Sequence, residues 1–372
     1  MCRGCKSRLL NGFRRNFAFA EASPPRIHPC VSDTIKVAVL GTGSLGKEHA
    51  RIYAEMAAAG DVEFVGVFDR DEERGRAIAE KHGTALFESE ADAAEAAEAL
   101  SIVTPTDSHF ELARMLLEKG RHVLVEKPMT NTGDEAATLV ELAREKDCIL
   151  QVGHVERFNP VFGFLQREAS QPKFIEAHRL SPYPARSTDI GVVLDLMIHD
   201  LDVLLAFVKS PVVSVDGVGI AVLSESEDIA NARIRFENGC VANVTASRIS
   251  PERMRKIRVF SGGETPSYIS LDYREQKGYL YRLGRSEEKE SSLLKKLMAA
   301  GDSKIVSEFA GRKIVREPVP IEKSEPLKLE LNHFVESVSA RTAPLVSGES
   351  AKQALDLALE ISAQIASGEK LK

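Results

Sequence analysis

Gly41-Thr42-Gly43-Ser44-Leu45-Gly46 constrains the fold of this chain more than any other string, because of what stands on either side of it. Ile35 to Leu40 precedes it, a continuous apolar run of the kind buried on both faces of a parallel sheet. A helix-forming stretch, Lys47 to Ala59, follows. At such a strand-to-helix turn, Gly41 allows the tight bend and Gly43 lets the backbone approach a pyrophosphate. Gly46 lets helix and strand pack closely. The helix start adds free N–H groups and a partial positive charge, which suit phosphates.

The same rhythm continues. VEFVGVFD ends at Asp69, ALSIVTP at Pro105, HVLVEKP at Pro128 and CILQVG at Gly153, each read as a strand. Helical stretches stand between them at Asp71 to Lys81, Ser108 to Lys119 and Gly133 to Lys146. The alternation predicts a Rossmann-type, doubly wound parallel sheet over residues 33–153. Residues 154–372 change character. Helical pieces at Pro160–Glu168 and Gly191–Phe207 flank the strand KFIEAHRL, and several alternating strands follow, with Glu237-Asn238-Gly239 as a hairpin turn. This half predicts an α+β domain with an open, mainly antiparallel sheet, closed by a helix from near Ser350. The charged interval Gly284 to Arg312 reads as a helix-leaning solvated insertion.

Composition narrows the classes. The 372 residues suffice for two domains, and a net charge of -6 gives no broad cationic surface for nucleic acid. No apolar run reaches the roughly 20 residues of a membrane span. Cys148 and Cys240 read as lone thiols in a reducing cytoplasm. Cys2, Cys5, His28 and Cys30 match no strong zinc spacing, so no metal is expected. Residues 1–32, Arg-rich with one acid, read as a targeting peptide or a disordered extension, and the extension is favoured.

Asp69 ends the second strand where an acid binds a ribose 2′-hydroxyl, which argues for NAD; Arg70 beside it leaves room for NADP. Thr104-Pro105-Thr106 lies on the same carboxyl edge. It forms either a wall for the cofactor's ribose and nicotinamide or a plain strand stop with a helix cap from Thr106 or Asp107. Glu126-Lys127-Pro128 ends the next strand along, where Glu126 and Lys127 are expected at the cofactor; its lysine is either a site residue or a snorkelling surface residue. In Asp195-Leu196-Met197-Ile198-His199 the acid and the imidazole share one helix face at i and i+4, so Asp195 can orient His199 for proton transfer. A satisfied core histidine is the alternative. His154, Arg157 and Asn159 of GHVERFNP suit polar substrate atoms, as do Arg179, Arg186 and Arg248.

GTGSLG, Asp69, TPT, EKP, GHVERFNP and DLMIH, in this order, resemble the glucose–fructose oxidoreductase / inositol dehydrogenase / MocA family from Thr34 onward. EKP with Asp-xxx-His is the specific part of the resemblance and the glycine motif the generic part. The resemblance implies that Lys127, Asp195 and His199 line a sugar site beside the nicotinamide. It also implies a second-domain sheet used as a dimerisation surface; the strands from Val212 to Leu283, alternating over one exposed-looking face, predict a homodimer or homotetramer. Within the family, VGHVERFNP, DLMIHDLD and ASRIS are most similar to the dehydrogenases that oxidise the 3-hydroxyl of UDP-N-acetylglucosamine to a ketone with NAD. Alternatives are a dehydrogenase of inositol or a free sugar, and a non-catalytic NAD or metabolite sensor. Retention of both Lys127 and His199 argues against the sensor.

Overall fold

The computed structural model describes residues 34–183, 190–263, 266–283, 304–309 and 312–368. The N-terminal extension with its cysteines, Arg186 and most of the charged interval lie outside these residues.

The first sheet contains β1 (Lys36–Leu40), β2 (Glu63–Phe68), β3 (Ala85–Leu86), β4 (Ala99–Ile102), β5 (His122–Glu126) and β6 (Leu150–Gly153). Its order is β3-β2-β1-β4-β5-β6, with every pairing parallel. The order reverses at β1, which opens a crevice at the carboxyl ends of β1 and β4. β4 and β5 are buried along their whole length, as near-continuous apolar runs require. Helices α1 (Gly46–Ala59), α2 (Glu72–His82), α3 (Glu90–Ala96), α4 (His109–Glu118) and α5 (Gly133–Glu145) run between the strands. Local chemistry sets their ends: Thr132 and Glu135 form a reciprocal capping box at the start of α5.

After β6, Asn159 caps α6 (Pro160–Glu168), with proline in its first turn. The second sheet contains β7 (Pro172–Leu180), β8 (Val212–Ile220), β9 (Ile229–Phe236), β10 (Val241–Ser247), β11 (Met254–Ser261), β12 (Ser267–Asp272), β13 (Lys277–Leu283), β14 (Lys304–Phe309) and β15 (Arg312–Pro318). Its order is β14-β15-β13-β12-β11-β7-β10-β9-β8, antiparallel except where β7 meets β10. β9 alternates buried and solvent-facing residues, so one face carries the core. Gly239 turns the β9–β10 hairpin with a positive φ of 81°.

Two elements depart from the sequence reading. Part of the charged interval, 304–309, is not helix-leaning but an edge strand paired with β15. A helix at Pro326–Ala340, which the sequence reading did not propose, packs Leu331, Phe334, Val335 and Val338 against Val37, Val39, Ala50 and Tyr53 of the first sheet and α1. The C-terminal helix, Gly348–Ser367, adds Ala354, Leu355 and Ala358 to a core that runs from the first sheet into the second. Each large side chain buried in this way contributes about 1.5–3 kcal/mol. Tail and first sheet are also tied directly, through the Val152 amide on the Val346 carbonyl at 3.1 Å. Among the described residues, no helix is long and apolar enough to cross a membrane.

Candidate active site

The glycine loop is shaped by what a Cβ would meet. At Gly41, with φ at +92°, a Cβ would lie 2.5 Å from the Val103 carbonyl, and at Gly46 it would lie 1.9 Å from that of Gly41. Both positions therefore require glycine. Gly43 faces open space, with nothing within 4 Å of an added Cβ. That gap, in front of the first turn of α1, fits a pyrophosphate. Ser44 and Leu45 form the exposed crest of the loop.

Asp69, just past β2, closes the loop from below. Its Oδ2 accepts from the Thr42 amide and the Thr42 hydroxyl, both at 2.7 Å. Arg74 donates from Nε at 3.1 Å and from Nη2 at 2.7 Å, and the Asp71 amide donates at 2.9 Å. Burial alone would raise the Asp69 carboxyl. The Arg74 guanidinium and the Thr42 and Asp71 donors outweigh it and hold the group far below the usual carboxylate range. Arg70 points elsewhere, 78% exposed and 4.0 Å from Glu90. The guanidinium beside Asp69 is thus that of Arg74, which the sequence reading passed over. Its position in the first turn of α2, five residues after Asp69, was the available signal.

Thr104-Pro105-Thr106 leads into a single turn, Thr106–Ser108, before α4, and makes no side-chain helix cap. Ser108 donates instead to the Thr104 hydroxyl at 2.7 Å. His109, 1% exposed, sets Nε2 against the Thr104 carbonyl at 2.8 Å and Nδ1 against that of Pro128 at 2.9 Å. It therefore joins the TPT segment to the EKP turn, a cross-link that no local pattern announced. Glu126 faces inward, 3.2 Å from His49 of α1, and its carboxylate packs where a Gly153 Cβ would stand. The carboxylate expected at the cofactor is thus engaged by α1.

Lys127 precedes a cis proline and reaches across to the second half of the chain. Its Nζ donates to the Asp195 carbonyl at 2.6 Å and to the Asp195 carboxylate at 3.1 Å. Asp195 lies in a π-helical turn, Val193–Met197, that runs into α7 (Ile198–Val208). The wider turn takes Asp195 out of the α-helical register with His199, so its carboxylate holds Lys127 rather than the imidazole. This corrects the expected Asp195–His199 pairing. Burial first, and then the cations Lys127 and Arg179, push the His199 imidazole well below its ordinary range, with His154 and Arg255 adding to the shift. The surroundings of His199 therefore favour its uncharged form. The His154 ring, 1% exposed, meets that of His199 edge-on at 6.1 Å, so it backs the site rather than opening onto a substrate.

Four further cations and polar groups proposed for substrate are structural. Arg157 pairs with Asp202 at 3.3 Å and lies over the Phe162 ring. Asn159 is spent on the α6 cap, on Glu156 and on the Tyr273 carbonyl. Arg179, 3% exposed, is clamped by Asp200 at 2.8 Å and Glu156 at 3.0 Å. Arg248, fully buried, bonds Asp228 at 2.9 Å and the Ile190 carbonyl at 2.6 Å. A sequence does not distinguish an exposed arginine from one consumed by an internal acid.

A glycine loop at the strand-order reversal, with Lys127 two strands along the same carboxyl edge and bonded to the turn that leads into His199, fits one class: a nicotinamide-dependent oxidoreductase. Comparison with known proteins agrees. Residues 35–154 match the oxidoreductase family with an NAD-binding Rossmann fold, and residues 166–263 match the GFO/IDH/MocA C-terminal domain. The chain is 32% identical to a UDP-N-acetylglucosamine 3-dehydrogenase of Acidithiobacillus ferrooxidans over 88% of this chain and 96% of that protein. A solved structure of the 3-dehydrogenase from that organism superposes with a TM-score of 0.79 at 31% identity, covering 90% of this chain and 98% of the other. A scyllo-inositol 2-dehydrogenase (NAD(+)) of Bacillus subtilis is 29% identical over 58% of this chain and 68% of its own length. The chain belongs to the Gfo/Idh/MocA oxidoreductase family and is an enzyme acting on CH–OH groups.

Proposed function

We propose that this enzyme oxidises the 3-hydroxyl of UDP-N-acetylglucosamine, or of a related UDP-amino sugar, to a ketone with NAD. The observation that carries the reading is the Lys127–Asp195 contact, which joins the carboxyl edge of the first sheet to the turn that leads into His199. Similarity to the A. ferrooxidans 3-dehydrogenase over nearly its whole length supports the choice of sugar.

The amides around Gly43 would hold the cofactor's pyrophosphate, Asp69 its adenosine ribose, and the Thr104–Thr106 segment the nicotinamide end. Bound there, the nicotinamide supplies the hydride acceptor. Lys127 donates to the reacting hydroxyl oxygen and stabilises the negative charge that develops on it. His199, uncharged, accepts the hydroxyl proton. Asp195 holds Lys127 in position through two oxygens, which replaces the role the sequence suggested for it. In this reading residues 33–153 serve the cofactor and 154–372 the substrate.

The enzyme is read as a cytoplasmic homodimer or homotetramer. Phe174, Phe260, Tyr268 and Tyr281 form a ladder of rings across β7, β11, β12 and β13, away from the core, where a second copy would seat. A monomeric mass by light scattering at micromolar concentration contradicts that assembly. The substrate test is NADH formation with UDP-N-acetylglucosamine, scyllo-inositol and free hexoses. The reading expects the highest kcat/KM for the UDP sugar and a product lighter by two hydrogens. A higher value for inositol or a free hexose overturns it.

A further inference from the structure

The cations beside His199 continue outward. Arg255 of β11 stands opposite Arg179 of β7 in the strand pairing, on the sheet face that also carries Ile257 and Val259. The two arginines differ in what they touch. Arg179 is saturated by Asp200 and Glu156. Arg255 keeps 53% of its side chain in solvent, and its contact with Glu156, at 3.7 Å, is too long for a hydrogen bond. Glu156 is already engaged by Arg179 at 3.0 Å and by Asn159 at 3.0 Å. The charged groups that face Arg255 are Arg179, Glu156, Asp200 and Arg274. Arg274 is exposed, one residue past Tyr273, whose amide donates to the Arg255 carbonyl at 2.9 Å. That bond fixes the turn after β12 against the start of β11.

Two arginines on backbone segments joined in this way, with the closest acid committed elsewhere, suit an anion with several oxygens. Arg255 stands opposite Arg179, whose partner Asp200 directly follows His199 in α7, which places Arg255 near the reacting hydroxyl rather than on a remote surface. We infer that Arg255 and Arg274 form the subsite for the diphosphate of a nucleotide-sugar substrate, leading outward from the sugar ring at His199 and Lys127. The inference rests on the nucleotide-sugar reading above and deepens it. A free sugar or inositol has no anion to place there.

The test titrates UDP alone into the full-length enzyme with NAD bound, by calorimetry, in wild type, Arg255→Ala, Arg274→Ala and Arg255→Lys. Each alanine variant is expected to weaken UDP by roughly 10- to 100-fold, the usual worth of a charge-assisted hydrogen bond. The lysine variant should recover part of the loss, and uridine, which lacks phosphates, should bind all the variants alike. KM for the UDP sugar should rise more than kcat falls. Arg233→Ala, an exposed arginine on β9 next to Asn243, should leave UDP affinity unchanged. Wild-type binding of UDP with unchanged affinity in both alanine variants overturns the subsite and leaves the substrate reading intact. Failure of the wild type to bind UDP, with turnover of an uncharged sugar, overturns the substrate reading itself, and the subsite falls with it.

Discussion

The two walls of the crevice differ in how completely their polar groups are satisfied. On the cofactor side, Asp69 receives the Thr42 amide and hydroxyl, the Asp71 amide and two nitrogens of Arg74. Around α7, by contrast, buried polar atoms stand without partners: Nδ1 of His154, Nδ1 of His199, Oδ2 of Asp202 and both carboxyl oxygens of Glu330. The Asp69 end of the glycine loop is thus pre-organised by pairing at both carboxylate oxygens, although Nδ1 of the buried His49 on α1 also lacks a partner. The reaction wall is desolvated and crowded with charge, and this shifts proton affinities toward chemistry. A protein keeps incompletely paired buried groups mainly where function uses them.

The contrast can be broken first at Arg179. Arg179→Ala leaves Asp200 and Glu156 buried without their partner, and denaturant unfolding should show a loss of about 3–5 kcal/mol. Arg255→Ala, at a half-solvated position, should cost far less; equal losses would erase the distinction between a structural and an available arginine. Asp69→Ala tests the other wall. NADH affinity by fluorescence titration should fall roughly 10- to 100-fold as the ribose loses a charged acceptor, while NADPH changes less. A wild-type preference for NADPH would instead assign Arg74 or Arg70 to a 2′-phosphate.

The smallest effect is expected at Glu330. Burial, with Glu126 and Asp202 facing it, raises this carboxyl well above its ordinary 4.5, so the folded protein keeps a proton that the unfolded chain releases. The sign follows: wild-type stability is fully present below the unfolded value and erodes as pH rises above about 4.5 toward the folded value. Glu330→Gln does not titrate. Its melting temperature should lie close to wild type in acid and gain on it as pH rises. Parallel curves across that range would show Glu330 to be ionised or solvated in the fold.

Legibility in the sequence followed the range over which each feature is encoded. The glycine loop, Asp69 and the Asn238-Gly239 hairpin are each determined within a few neighbours and were readable; the Asn159 cap is as local but was read as a substrate contact. Arg157, Arg179 and Arg248 were misassigned because their acids lie 20 to 45 residues away in sequence. The π turn at Asp195 was hidden because its residues are as suited to an α-helix. The helix Pro326–Ala340 begins without a side-chain cap, and its apolar face has meaning only against β1 and α1, far earlier in the chain. Arg255 looked ordinary until strand pairing set it opposite Arg179.

The central claim is that proton transfer resides in His199 while cofactor binding resides elsewhere, and one experiment addresses both: the pH profile of kcat for wild type and His199→Ala, alongside NADH titration of each. The account predicts a fall in kcat of about 10²–10⁴ for the variant with nearly unchanged NADH affinity. Because the folded imidazole lies well below 6.5, wild-type kcat should hold through that pH and decline only in stronger acid, where protonation removes the acceptor. Near wild-type turnover in His199→Ala, with the acid limb unchanged, would contradict the account and leave Lys127 as the base.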